Sequence, residues 1–387
     1  MRQIMLSVLA SAMIGAAPAP SVAPDTAGQL FAAGDFGSAA AAYAAELNES
    51  PNDETAQLGL GAIELYQNDL TDAEPLLQAV ATKDPANARA ASLLKELHRR
   101  QSEASKRVTI AGGITQVPFI VADPLPVIYA TINGKRGTFV VDTGGTVDLD
   151  TSFAQSLGLK LESAGMGTFA GGQHAPLASS TIDSITLGGA TAYDMPVSVL
   201  PMPAKLFPMQ IDGIIGTTLF ERFLVTIDYP RDRLVIRPRD ASERFLADAQ
   251  AANATIEPCW LVGDHFVFAK ASVNNTPQVL YLFDSGLAGG GLMPSAQLIS
   301  AARLDIDLGK AGTGIGGAGT LAAIPFVAQS IAVGNAIQHN VRGIYTPGGT
   351  PFGIFPFIVW GGISDLYLRH YAYTVDFEAM KLILTPQ

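Results

Sequence analysis

The sequence predicts a mostly-β protein of two similar lobes, preceded by an α-helical domain. Three observations carry that expectation. Residues 25–104 are Ala-rich, helical in period and internally repeated. From residue 116 onward the chain breaks into short β-branched runs punctuated by Gly, Pro, Asn and Asp. Those runs then occur twice in the same order. With 387 residues, 48% hydrophobic and 15% charged, the chain can fill two or three packed domains.

Residues 1–23, MRQIMLSVLASAMIGAAPAPSVA, read as an export signal: Arg2, an apolar run from Ile4 to Ala17, then small residues. The run falls short of the ~20 residues that a membrane span needs. The expectation is an exported protein, in a bacterial periplasm or secreted, with no membrane span after signal removal. The net charge of −11 argues against nucleic acid as a partner, and the short KELHRR run reads as a solvated helix end. The sole cysteine, Cys259, permits no internal disulfide and sits among bulky apolar residues as a buried thiol.

In the helical domain, Phe31 aligns with Leu65, Asp35 with Asp69, Phe36 with Leu70, Ala39 with Ala73, Tyr43 with Leu77 and Pro51 with Pro85. Each pair is 34 residues apart, the period of tetratricopeptide helix hairpins, which this region resembles. Small residues at Ala39 and Ala73 let the helices approach, and the two prolines stop the second helix of each unit. A capping helix follows near Ala88 to Arg100. The repeats are expected to contact a partner protein or dock on the next domain.

The two β-rich halves, residues 116–240 and 255–387, are joined by a helical linker at 241–254. VIYATINGKRGTFVVDTGG in the first matches FVFAKASVNNTPQVLYLFDSG in the second. Each half holds a hairpin ending in Asp-(Thr/Ser)-Gly, a short helix, a Gly-rich hairpin, a matching strand pair and an Asp-bearing strand. A duplicated lobe related by a pseudo-twofold axis brings Asp142 and Asp284 together at that axis. Two carboxylates meeting there cannot both ionise cheaply. Gly144 and Gly286 would let the backbones approach, and the Thr143 and Ser285 hydroxyls can cross-link the turns.

This ordered constellation, present twice, resembles the retropepsin-like and pepsin-like aspartic peptidases in a two-lobed, single-chain form, and implies two acid-peptidase β-barrel lobes. The resemblance implies a water activated between Asp142 and Asp284 as the catalytic pair, with no metal, cofactor or covalent intermediate. It implies supporting roles for Ile215, Gly216 and Ser364. It makes the Gly-rich hairpins flaps over the substrate, with Gly171, Gly172 and His174 in the first lobe and Gly314, Ile315, Gly316 and Gly317 in the second. Departures from the family pattern are Ser364 where the first lobe has Gly216, which would alter the brace there, and the stretch Leu287 to Gly291, glycine-rich enough to loosen the second turn. The implied function is an aspartic endopeptidase acting on proteins or peptides. The alternatives are a non-cleaving peptide-binding module of the same fold and a precursor whose N-terminal part covers the cleft. The histidines His98, His174, His265, His339 and His370 show no metal-ligand spacing. No GxSxG elbow or Walker motif is present, and GTGIGG at 312 lacks a βαβ unit around it.

Overall fold

The structure is a computed structural model that describes residues 4–5, 9–10, 26–169, 173–202, 209–316, 319–347 and 351–386. The export-signal reading therefore lies almost wholly outside the described residues. Only the two-residue strands β1 (Ile4–Met5) and β2 (Leu9–Ala10) belong to it. Among the described residues no helix is long and apolar enough to cross a membrane.

Five helices open the described chain: α1 (Thr26–Ala32), α2 (Phe36–Glu49), α3 (Glu54–Tyr66), α4 (Leu70–Lys83) and α5 (Ala88–Ala104). Their starts are written in the sequence. Asp53, Asp69 and Asn87 each accept a hydrogen bond from a backbone N–H three residues on, capping α3, α4 and α5. Pro51 and Pro85 stand two positions past the ends of α2 and α4, just after the C-caps Ser50 and Asp84. The repeated Ala39 and Ala73 are fully buried, and the Gly59 backbone lies so close to the Tyr43 ring that a Cβ there would sit 2.3 Å from it.

The first lobe comprises β3 (Val108–Ile110), β4 (Thr115–Pro118), β5 (Val127–Ile132), β6 (Lys135–Val141), β7 (Val147–Asp150), α6 (Thr151–Ser156), β8 (Glu162–Phe169), β9 (Gln173–Leu187), β10 (Ala190–Leu200), β11 (Gly213–Ile215), α7 (Thr217–Phe220), β12 (Leu224–Asp228) and β13 (Arg233–Arg237). Six of these strands close a barrel in the order β9–β5–β6–β11–β7–β10, with β10 returning to β9. Inward-facing Ile128, Ala130, Ile132, Phe139 and Val141 alternate along β5 and β6 and fill it.

After α8 (Ser242–Ala251), the second lobe repeats the plan. It runs β14 (Thr255–Val262), β15 (Phe266–Val273), β16 (Val279–Phe283), β17 (Leu292–Pro294), α9 (Ala296–Ala301), β18 (Gly312–Gly316), β19 (Gly319–Val333), β20 (Ala336–Tyr345), β21 (Gly361–Ile363), α10 (Asp365–Leu368), β22 (Tyr371–Asp376) and β23 (Lys381–Pro386). Its barrel is less complete. β7 and β10 form a parallel ladder in the first lobe, whereas β17 and β20 are bridged by a backbone bond from the Gly291 N–H to the Arg342 carbonyl, 2.7 Å.

One sheet joins the lobes, in the order β4–β13–β12–β22–β23–β14. At its centre β12 and β22 run antiparallel with Thr226 opposite Thr374, and their hydroxyls meet at 2.7 Å. The pseudo-twofold axis passes through this pair. The buried rows of all these strands merge into one apolar core that spans both lobes, so the two halves fold as a unit.

The helical repeats dock on the second lobe. Phe31, Phe36 and Tyr66 pack against Trp260, Phe268 and Phe357, with Phe36 edge-on to Phe357 at 4.9 Å and to Trp260 at 5.4 Å. Arg100 on α5 donates to the carbonyls of Leu261 and Gly263, each at 2.9 Å, and Lys270 pairs with Asp35 at 2.7 Å.

Candidate active site

The two Asp-Thr/Ser-Gly turns leave the ends of β6 and β16 and meet at the pseudo-twofold axis. Each turn is fixed by a short strand beside it. β11 lies parallel to β6 with Ile215 opposite Val141, and β21 lies parallel to β16 with Ile363 opposite Phe283. The Ile215 and Ile363 carbonyls accept the N–H groups of Asp142 and Asp284, at 3.1 and 3.0 Å. The turns then tighten alike: Gly144 N–H donates to the Asp142 carboxylate at 2.9 Å and Gly286 N–H to that of Asp284 at 2.7 Å.

The turns also cross-link. Thr143 N–H donates to the Ser285 hydroxyl at 2.9 Å and Ser285 N–H to the Thr143 hydroxyl at 3.0 Å. Each carboxylate lies flat against the glycine of the other lobe. A Cβ on Gly144 would stand 2.3 Å from Asp284, and one on Gly286 would stand 2.2 Å from Asp142. Glycine is required here for close approach, not for an unusual φ. Both carboxyl groups are buried, Asp142 at 0% and Asp284 at 2% exposure.

That burial has an electrostatic result. Desolvation pushes the Asp284 carboxyl above the ordinary carboxylate range, and the hydrogen bond with Asp142 and those from the Gly286 and Gly144 amides only partly offset it. A pair so placed can hold one proton between two acids over a range of pH in which isolated carboxyls are both ionised.

The supporting residues differ between the lobes. Gly216 is packed under the first turn, where a Cβ would lie 2.2 Å from the Gly145 carbonyl oxygen and 2.5 Å from that of Asp142. Thr217 then donates to the Thr143 carbonyl at 2.8 Å. In the second lobe Ser364 itself makes the brace: its hydroxyl donates to the Asp284 carbonyl and accepts from Leu287 N–H at 3.0 Å. The brace is altered in chemistry and complete in its hydrogen bonding. The Leu287 to Gly291 stretch is not loose. Leu287 and Ala288 are buried at 1% exposure, and a Cβ on Gly291 would meet Val341 at 2.6 Å and the Tyr367 backbone at 2.9 Å.

Both lobes carry a hairpin where the sequence places a flap. β8 and β9 pair from Glu162 to Phe169, with His174 opposite Thr168, and the His174 side chain is exposed. β18 and β19 pair with Gly314 opposite Leu321, Ile315 opposite Thr320 and Gly316 opposite Gly319. The tip residues Gly171, Gly172 and Gly317 lie outside the described residues.

Several groups around the dyad escape a motif-based reading. Thr217 is one. The phenols of Tyr229 and Tyr373 are buried near Ser285 and Thr143, and burial raises both. Asp148 and His265, buried at 2% and 0%, stand near Asp142 from opposite lobes. Aligning the two halves exposes Asp148, because its counterpart by strand register is Met293. Cys259 is a free buried thiol raised by burial.

Residues 128–219 match the aspartyl protease family, and residues 30–97 match the tetratricopeptide repeat. The first match spans the Asp142 turn and the Ile214-Ile215-Gly216 strand that supports it. A retropepsin-like aspartic protease from Rickettsia conorii is similar at 22% identity over 35% of this chain and 94% of that one, with a TM-score of 0.25. No curated protein matches the chain. The chain thus carries an aspartyl protease domain, with tetratricopeptide repeats in the helical region that precedes it.

Proposed function

We propose that the protein is an aspartic endopeptidase whose Asp142 and Asp284 hydrolyse a peptide bond through one shared water. The observation that carries this reading is the contact of each carboxylate with the opposite lobe's turn glycine, which puts both acids at one point in space. Burial disfavours ionising both acids, so the pair holds one proton. The ionised member takes a proton from the water as it attacks the scissile carbonyl. The protonated member donates its proton to the carbonyl oxygen, and collapse of the tetrahedral intermediate passes a proton to the leaving amine. The two hairpins hold an extended peptide and shield the reacting groups from bulk solvent. The chemistry needs no metal or cofactor.

The protein is exported, on the strength of its leader-like N-terminal sequence, and acts on proteins or peptides outside the cytoplasm. The repeats brace the second lobe through the aromatic face of α1, α2 and α3, and the solvent-facing side of α2 and α4 is left to recruit a substrate or regulator.

The test is cleavage of a diverse peptide library by the full chain, with and without an aspartic-peptidase inhibitor, beside Asp142→Asn and Asp284→Asn. Either substitution should lower kcat by about a thousandfold or more while the thermal transition is retained. Peptide binding without cleavage by the unaltered chain would make it a binding module instead.

A further inference from the structure

A buried group of charges lies beside the dyad, outside the mechanism above. Its centre is His265, at the tip of the β14–β15 hairpin of the second lobe. The ring is fully buried, its Nδ1 lies 2.5 Å from an Asp264 carboxylate oxygen, and its Nε2 has no hydrogen-bond partner among the described residues. Across the lobe boundary sits Asp148 on β7. One of its oxygens accepts from the Thr146 hydroxyl at 2.6 Å, and the other, Oδ2, is buried without a partner. Asp148 lies directly under the catalytic turn, where a Cβ on Gly145 would be 3.5 Å from Oδ2. Each is a half-satisfied buried polar group, costly unless nearby charge compensates it.

The other charged groups around them are few. Asp264, Asp148 and Asp142 all act on His265, and Arg99 of α5 acts on Asp264. Arg99 is held by Glu96 and Glu221 at 2.8 Å each. Arg100, also held by Glu96, grips the carbonyls of Leu261 and Gly263 at the base of the hairpin tip. The helical repeats thus hold the hairpin that carries His265.

We propose that Asp264, His265 and Asp148 form a charge relay, buried at His265 and Asp148, that makes the two dyad acids unequal and sets the pH at which their shared proton is lost. It rests on the peptidase reading. The asymmetry is built in, because Met293 stands where the second lobe would need an acid. The His265 cation, anchored by Asp264, favours the anion on Asp142. Asp148, once ionised, opposes it. Both are positioning residues, acting on the dyad's proton without touching substrate. The directions of the shifts agree with this geometry. Burial alone would lower His265, yet the neighbouring carboxylates raise it, and burial raises Asp148 to about 6.

Two measurements on the full chain test the relay. The first is the pH profile of kcat/KM. Asp148→Asn removes an anion, so the alkaline limb, where the shared proton is lost, should move down by about half a pH unit, and His265→Gln removes a cation, so it should move up by a similar amount. Opposite shifts support the relay, and shifts of the same sign, or none, overturn it. The second does not depend on activity: NMR titration of the His265 ring, assigned by the signal missing in His265→Gln. Linkage is reciprocal, so Asp142→Asn and Asp148→Asn must each lower the pH at which His265 loses its proton. A His265 that titrates alike in all three proteins overturns the relay. Absence of any cleavage by the unaltered chain overturns the peptidase reading alone, and the titration still decides whether the charges are coupled.

Discussion

The two lobes share an inner face and differ on the outer one. In the first lobe, β5 and β6 present Tyr129 and Thr138 outward. Tyr129 is 41% exposed, with the Arg136 guanidinium over its ring at 3.7 Å. In strand register, the second lobe has Lys270 and Leu280 at those places, next to Phe268 and Leu282. Phe268, Leu280 and Leu282 are fully buried, under the aromatic face of the helical repeats. An inner row is dictated by closing a barrel, whereas an outer row records what covers it. At this level of the barrel the first lobe leaves Tyr129 exposed, whereas the second buries Leu280 under the repeats. One step nearer the catalytic turn the outer pair is apolar and buried in both lobes, Val127 with Val140 and Phe268 with Leu282.

The catalytic turns teach a second lesson. From Asp142 to Val147 the first turn advances five residues before β7 pairs opposite Ile215. From Asp284 to Leu292 the second advances eight before β17 pairs opposite Ile363. The extra glycine-rich length makes room for a side chain at Ser364, and its hydroxyl supplies hydrogen bonds that Thr217 and the packed Gly216 backbone help provide in the first lobe.

The most damaging way to break this comparison is to exchange the supports. Gly216→Ser drives a Cβ into two backbone oxygens and should cost about 4 kcal/mol or more and end cleavage. Ser364→Gly removes one hydroxyl and should cost about 1–3 kcal/mol. Urea unfolding of both variants reads the difference, and equal losses would show that turn length is not what admits Ser364. Next in size is the outer face. Phe268→Ala should destabilise by about 3–5 kcal/mol, whereas Tyr129→Ala should cost about 1 kcal/mol or less. Similar unfolding midpoints for the two would mean that the repeats contribute little to the second lobe.

The smallest effect is pH-dependent. Burial raises Asp148 to about 6 in the folded chain, above its ordinary value. Its contribution to stability is therefore full below about pH 4 and is lost as pH rises through about 6. The stability difference between the unaltered protein and Asp148→Asn should shrink by on the order of 2 kcal/mol between about pH 4 and pH 7. A difference that stays constant over that range would mean that Asp148 is ionised throughout.

The sequence by itself determined the order of elements, the duplication and the pair of acids. These rest on local signals: capping residues three positions before their partners, period-2 runs, and two Asp-(Thr/Ser)-Gly turns in matching frames. It also held the doubly apolar run around Phe266, Phe268, Leu280 and Leu282, though a period cannot say which body covers a second apolar face. Only the tertiary structure decided that the repeats dock on the second lobe, that Ser364 completes its own brace, and that Asp148 and His265, from different lobes, are both buried within electrostatic reach of Asp142. Such contacts join residues 77 or more positions apart, and burial and charge coupling exist only once the chain has closed on itself.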